Sequence, residues 1–131
     1  MKQSIRKAIT ERLERRDEIL LAFVYGSAAV GRDTSDSDLD IAILFKNGPF
    51  PDQEAAIRDE LEEVSGKEID LLSLNNASPI IRMQVVKGGQ VLLARGSARE
   101  EFFTRTVNEY DDLKYIRREI EKNIHKGRIY A

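Results

Sequence analysis

Two short apolar runs, Ile19 to Tyr25 and Leu39 to Phe45, the second belonging to a strand read from Asp38, constrain the fold of this chain most. Each is rich in strand formers and bounded by polar or glycine-containing segments, so each reads as a buried strand. Both are far too short to span a bilayer as a helix. What surrounds them alternates in period. Ile5, Ala8, Ile9 and Leu13 recur at helical spacing, predicting an amphipathic helix over residues 3–16. Asn47-Gly48-Pro49-Phe50-Pro51 breaks the chain after the second strand. A helix follows with Asp52 as its expected N-cap, Ile57, Leu61 and Val64 on one face, and Ser65-Gly66 as its end. Glu68 to Leu74 reads as a third strand. A short helix is expected from Ser78 or Pro79 to about Val86, then a Gly88-Gly89 turn and a fourth strand, Gln90 to Ala94. The tail from Ser97 to about Lys126 reads as one long helix, with Phe102, Phe103, Val107, Tyr110, Leu113, Ile116 and Ile120 as its apolar positions. Its stripe is long for so small a domain, so part is expected on the sheet and part open for a partner. Interleaved helices and strands predict an α/β or α+β class with a mixed sheet of about four strands flanked by helices. With 131 residues and no repeat or linker, the expected organisation is one domain, residues 1–131.

Charge narrows the function. The net charge is −2, but between Asp33 and Asp70 twelve acidic residues face three basic ones, while residues 1–17 carry six basic against three acidic. An acidic middle suits divalent cations and argues against direct binding to nucleic acid. The absence of cysteine excludes disulfides and thiolate metal sites and permits a reducing cytoplasm. The start, Met1 to Lys7, is basic and leads into a charged helix, so neither a signal core nor a membrane anchor is expected and the localisation reads as cytoplasmic.

The chemistry-bearing stretch is Phe23-Val24-Tyr25-Gly26-Ser27-Ala28-Ala29-Val30-Gly31-Arg32, followed by Ser35-Asp36-Ser37-Asp38-Leu39-Asp40-Ile41-Ala42-Ile43. Here a strand ends in Gly-Ser, and Ser27 to Val30 can form one or two helical turns. Gly26 lets backbone approach a bulky anion. Ser27 offers a hydroxyl and an N–H at a helix start, a phosphate site. By itself this is also the sequence of an ordinary capped turn. Asp38 and Asp40 add the stronger signal. One residue apart on a strand, they point to one face, where two like charges call for a cation between them. Hard oxygen ligands suit Mg²⁺ or Mn²⁺, whose coordination shells phosphate oxygens complete. Asp36 shares their parity. The pair 38 and 40 is preferred because Leu39 between them anchors a core, whereas Ser37 anchors nothing, which leaves Asp36 at the strand entrance. Asp70, between Ile69 and Leu71, fits a third ligand or a base for an incoming hydroxyl, with an edge-strand acid facing water as the plainer alternative and Glu68 as the fallback.

Gly26-Ser27, ten intervening residues, Asp38-x-Asp40 and a later strand Asp70 resemble the DNA polymerase β-like nucleotidyltransferase superfamily. The short length and the Gly-Ser-Ala-Ala-Val-Gly and Ser-Asp-Leu-Asp runs are similar to its minimal branch, found as the antitoxin paired with a HEPN-domain toxin. The resemblance covers about Leu20 to Tyr115. It implies the nucleotidyltransferase fold, ATP as substrate with two Mg²⁺, and transfer of AMP to a tyrosine of the toxin within a hetero-oligomer. It implies further that Gly26 and Ser27 hold the triphosphate, that Asp38 and Asp40 hold metal, and that Asp70 completes the triad. Two other readings compete: a small-molecule nucleotidyltransferase, for which the chain lacks the length of a second acceptor-gripping domain, and a non-catalytic module that occludes a toxin, which would not need all three acids.

The remaining residues of note read as structural. His125 is a solvated tail residue. Lys87-Gly88-Gly89 is too short for a phosphate loop. Arg32 is either a phosphate contact or a solvated loop residue. Tyr110 and Tyr115 read as core, and Arg117-Arg118 as a solvated helix face.

Overall fold

The computed structural model describes residues 1–34 and 37–125. The order of elements is α1 (Gln3–Glu14), β1 (Ile19–Tyr25), a 3-10 turn (Gly26–Ala28), β2 (Leu39–Phe45), α2 (Pro51–Ser65), β3 (Ile69–Ser73), α3 (Pro79–Gly88), β4 (Gln90–Ala94) and α4 (Ala98–His125). The four strands form one sheet in the order β3-β2-β1-β4. β1 runs antiparallel to β2 and β4, and β2 runs parallel to β3. The sheet is therefore mixed, as the interleaved pattern predicts. The parallel pair is the one joined through a helix, α2, because parallel neighbours need a crossover.

Side-chain alternation divides the core into two layers. Ile9 and Leu13 of α1 and Ile57 and Leu61 of α2 pack with Ala22, Val24, Leu39, Ile41, Ile43 and Phe45 on one face. On the other face Leu21, Phe23, Ala42 and Leu74 meet Val85 of α3 and Ala98 and Phe102 of α4. The two central strands are covered on both sides, which is why they read as unbroken apolar runs. Asp40, Ala42 and Leu44 share the parity that faces α3 and α4.

Several expectations are corrected. Asp52 is not the cap of α2. Phe50 holds the N-cap position, and Pro51, whose fixed φ and missing N–H suit the first helical position, starts the helix. Asp52 and Glu54 instead lie in the first turn, where acids complement the helix dipole. Gly66 ends α2 in the left-handed conformation as expected. α1 stops at Glu14, with Arg15 as its C-cap. Ser78 caps α3 through its hydroxyl, which accepts from the Ile81 N–H at 3.3 Å. Gly88 belongs to α3 itself, and the turn into β4 is made by Gly89. Tyr115 is not a core residue: α4 runs on past the body of the protein, leaving Tyr115 64% and Ile116 53% exposed, with Phe103, Ile120 and Ile124 also exposed. Tyr110 is partly buried, with the Lys87 and Lys114 ammonium groups over its ring. Asp36 lies outside the described residues, as does everything beyond His125.

A polar clamp ties α1 to α2. The Arg16 guanidinium donates twice to Glu60 Oε2, at 3.1 and 2.8 Å, and Arg12 reaches Glu60 Oε1 at 3.5 Å. Partial burial works against the Glu60 carboxylate, but the hydrogen bonds and charge of Arg16, then those of Arg12, outweigh it and lower its pKa from the ordinary 4.5. A carboxyl whose folded-state pKa is depressed stabilises the fold above its unfolded pKa, and that contribution is lost as pH falls through the folded value. Glu60→Gln is accordingly expected to cost about 1 kcal/mol at pH 7, the discount reflecting solvent screening of a partly exposed pair. The difference from the native chain should shrink in chemical-denaturation curves as the pH is lowered below the ordinary carboxylate range, through the depressed folded-state pKa of Glu60.

Candidate functional site

Tyr25, the last residue of β1, pairs with Asp40 of β2, and Asp40 pairs with Asp70 of β3. Residues opposite each other in register share a face. The phenol and two carboxylates thus form a row across three strands, at the end of the sheet where β1 finishes and β2 and β3 begin. Asp40 is partly buried while Asp38 and Asp70 are exposed, so the row opens to solvent.

The closest pair of acids differs from the one the sequence spacing singles out. Asp38 precedes β2, which begins at Leu39, and its partner position on the β3 side is Glu68, likewise ahead of its strand. Asp40 and Asp70 are the two held face to face. Burial first, then the charge of Asp70, a hydrogen-bonding contact with Asp70 and the charge of Asp38 raise the pKa of Asp40. Tyr25 is pushed up to about 12 by burial and by the charges of Asp40 and Asp70. All three predicted acids therefore converge on one negative potential. Glu68 serves instead through its backbone: its carbonyl accepts the Leu39 N–H at 2.9 Å.

Gly26 has a role that its sequence context did not reveal. Its φ is +70°, and a Cβ added to it would collide with Oδ2 of Asp40. The vacancy left by the missing side chain is where the Asp40 carboxylate lies. Ser27 is exposed beside it. The anticipated helical turns shrink to a three-residue 3-10 turn, too short to carry a useful helix dipole, so any grip on an anion at Ser27 rests on its hydroxyl and nearby N–H groups. Two residues not singled out by the sequence support this turn. Gln90 of β4 donates to the Ala29 carbonyl at 2.6 Å, and Arg6 of α1 donates to Gln90 Oε1 at 2.9 Å. The Arg32 side chain is exposed, while its N–H donates to the Ser27 carbonyl at 2.9 Å.

Among the described residues no group of three or more acidic or histidine side chains is already gathered into a cation cage. The donor set nevertheless fits a hard divalent cation. It is all carboxylate oxygen, it carries the repulsion that a cation relieves, and its open side leaves coordination positions for phosphate oxygens.

Gly26→Ala should therefore do more than strain a turn. The left-handed backbone costs a non-glycine residue roughly 1–2 kcal/mol, and the new methyl group also displaces the Asp40 carboxylate. Gly31→Ala is the control, since Gly31 has φ +72° but nothing within 4 Å of an added Cβ. Calorimetric titration with Mn²⁺ should show cation affinity reduced at least tenfold in Gly26→Ala and retained in Gly31→Ala, with both variants lowered in thermal stability.

Known proteins are similar to this chain in sequence and in fold. The family described as polymerase beta, nucleotidyltransferase matches residues 7–98, the span from α1 to the start of α4. Protein adenylyltransferase MntA of Shewanella oneidensis is 27% identical over 103 residues, covering 79% of this chain and 74% of that protein. A toxin–antitoxin crystal structure with AMP-PNP superposes with a TM-score of 0.76 at 23% identity, covering 95% of this chain and 99% of the matched one. A complex of a tri-AMPylated Shewanella oneidensis HEPN toxin with its MNT antitoxin gives 0.75 at 24% identity over 95% and 99%. At such identities these two structures speak for the fold, and the family match speaks for descent: with its strand-end Gly-Ser turn and its row of carboxylates, the chain belongs to the polymerase beta nucleotidyltransferase family.

Proposed function

We propose that this nucleotidyltransferase is a protein adenylyltransferase, the antitoxin that transfers AMP from ATP to a tyrosine of a cognate HEPN-domain toxin and releases pyrophosphate. The observation that carries the reading is the in-register apposition of Asp40 and Asp70 beside the Gly26–Ser27 turn. Support for the acceptor comes from MntA, a protein adenylyltransferase by name, and from the fold shared with an antitoxin complexed to an AMPylated HEPN toxin. The exposed apolar positions of distal α4, Tyr115, Ile116 and Ile120, accord with assembly with a protein partner. Residues 1–131 act as a single domain in this reading. No helix among the described residues is long and apolar enough to cross a membrane, and we place the protein in the cytoplasm.

The roles follow from position. Gly26 and Ser27 receive the triphosphate through backbone N–H groups and the Ser27 hydroxyl. Asp38, Asp40 and Asp70 would hold two Mg²⁺, or Mn²⁺, which when bound neutralise phosphate charge and polarise the α-phosphorus. The acceptor hydroxyl oxygen forms the new bond to that phosphorus as the bond to pyrophosphate breaks, and the phenolic proton leaves to a carboxylate. An unperturbed tyrosine hydroxyl has a pKa of about 10, so a positioned base is needed. Asp70 is the better placed. Asp40 is enclosed by Gly26, Tyr25 and Asp70, whereas Asp70 is exposed on the strand at the sheet edge, the side open to an incoming protein.

Three substitutions separate these roles. Asp70→Asn should slow single-turnover AMP transfer on the order of 10²-fold or more with ATP affinity nearly preserved. Asp40→Asn and Asp38→Asn should abolish transfer and weaken Mg-ATP binding by calorimetry, while partner binding persists. Native transfer by Asp70→Asn would remove it as the base, and transfer of AMP to a small molecule instead of a partner protein would overturn the proposed acceptor.

Ser27→Ala deletes one hydroxyl and keeps the N–H groups. It should weaken ATP binding by about 1.5–3 kcal/mol, the range for a hydrogen bond to a charged group. Unchanged affinity would assign the turn a purely structural role.

A further inference from the structure

Asp38 stands outside β2, so the strand ladder does not hold it, yet both of its neighbours are tied to consecutive residues at the mouth of β3. On its C-terminal side the Leu39 N–H donates to the Glu68 carbonyl at 2.9 Å. On its N-terminal side the Lys67 ammonium donates to the Ser37 carbonyl at 3.4 Å and to the Thr34 carbonyl at 2.9 Å. Thr34 and Ser37 are also joined to each other: the Thr34 N–H donates to Ser37 Oγ at 2.8 Å, and the Ser37 N–H to the Thr34 carbonyl at 3.1 Å.

Lys67 is itself anchored at its base. It follows Gly66, the left-handed residue that ends α2. Its N–H donates to Ser65 Oγ at 3.2 Å, and its carbonyl accepts from the same hydroxyl at 3.4 Å. Ser65 is buried. The ammonium is therefore presented from a fixed backbone, and it spends its donors on carbonyl oxygens of the segment before Asp38. Lysine suits the task, since three donors on a flexible stem can serve two carbonyls that no ladder bond reaches. The positive charge also lies near an acidic segment: the pKa of Asp33 is lowered chiefly by its hydrogen bond to the N-terminal ammonium, and last by the charge of Lys67.

We propose that Lys67 is a positioning residue that fixes Asp38 relative to Asp70 by bridging the backbone ahead of β2 to the entrance of β3. The proposal rests on the reading of Asp38 as a cation ligand. It assigns Lys67 no contact with substrate: its effect reaches the site through the Ser37 carbonyl, one peptide from Asp38, while Asp70 lies three residues along from Lys67 itself. One side chain thereby sets the spacing between a carboxylate just ahead of β2 and one on β3.

The test is a Mn²⁺ titration of the full chain with ATP present, followed by electron paramagnetic resonance, together with thermal unfolding. The variants are Lys67→Met, Lys67→Arg, Asp38→Asn and the double variant Lys67→Met/Asp38→Asn. Loss of a residue that orients a metal ligand typically lowers metal affinity 10–100-fold. Lys67→Met should weaken Mn²⁺ binding at least tenfold, and Lys67→Arg should restore most of it. The double variant should bind no more weakly than Asp38→Asn alone, because the two residues act on one ligand. Native Mn²⁺ affinity in Lys67→Met would overturn the proposal, and so would losses that multiply in the double variant. Should Lys67→Met fail to fold, Lys67→Ala, which also removes every side-chain donor, takes its place with the same criteria. Native affinity in Asp38→Asn alone would instead remove Asp38 as a ligand, a failure of the functional reading that is distinct from a failure of Lys67.

Discussion

The parallel register of β2 and β3 sets Asp40 directly against Asp70, and most of what distinguishes this molecule follows from holding those two carboxylates together. An ordinary sheet would place apolar or oppositely charged residues at such a cross-strand pair, because like charges there are destabilising. Here the repulsion is kept, and it is reinforced by burial and by the charge of Asp38. The rest of the fold supplies what is needed to tolerate it: a core packed on both faces of the central strands, polar clamps between the first two helices, and a glycine whose empty side-chain position receives the Asp40 carboxylate.

The cost of that arrangement is confined to one end of the sheet. Below Asp40, Ala42 and Leu44 return the same face of β2 to the apolar layer under α3 and α4. The opposite face, carrying Leu39, Ile41, Ile43 and Phe45, is buried under α1 and α2. Strand alternation thus lets one segment serve as core and as site, with the change from aspartate to alanine along one face marking the boundary. The tyrosine at the end of β1 belongs to the same row. Its phenol is held protonated beside the acids, so it adds a neutral, hydrogen-bonding group to the wall of the site and no further charge.

The elements that frame the acids come from both ends of the chain. Arg6 in α1 steadies Gln90 in β4, which steadies the turn after Ser27. Lys67, after α2, steadies the approach to Asp38. In both places backbone carbonyls that no regular ladder satisfies are taken up by side chains from a distant segment, as buried or half-buried polar groups require.

Much of this was legible in the sequence, for identifiable reasons. The observed boundaries of β1 and β4 are legible in the chain, because an apolar run ending at Gly26 and a run following two glycines both carry strong local punctuation. The mixed four-stranded sheet follows from helices and strands that alternate, and the residues chosen for the site are those whose spacing a motif records. The errors are equally local in origin. Asp52 carries the side chain of a cap, but the proline beside it sets the start of the helix through backbone geometry. Tyr115 has the spacing of a core residue and is exposed, because helical period reports which residues line up, not how far the body of the protein extends beneath them. Sequence by itself determined which residues carry the carboxylates, the turn and the apolar faces, since composition and period are properties of a chain read in order. Tertiary structure alone decided that Asp40 lies in register with Asp70, that the side-chain position missing at Gly26 is occupied by the Asp40 carboxylate, and that Tyr25, Gln90 and Lys67 come to lie beside the acids, the turn and the segment before Asp38. Those relations depend on register and strand order, which pair residues far apart in the chain through contacts that no local pattern encodes.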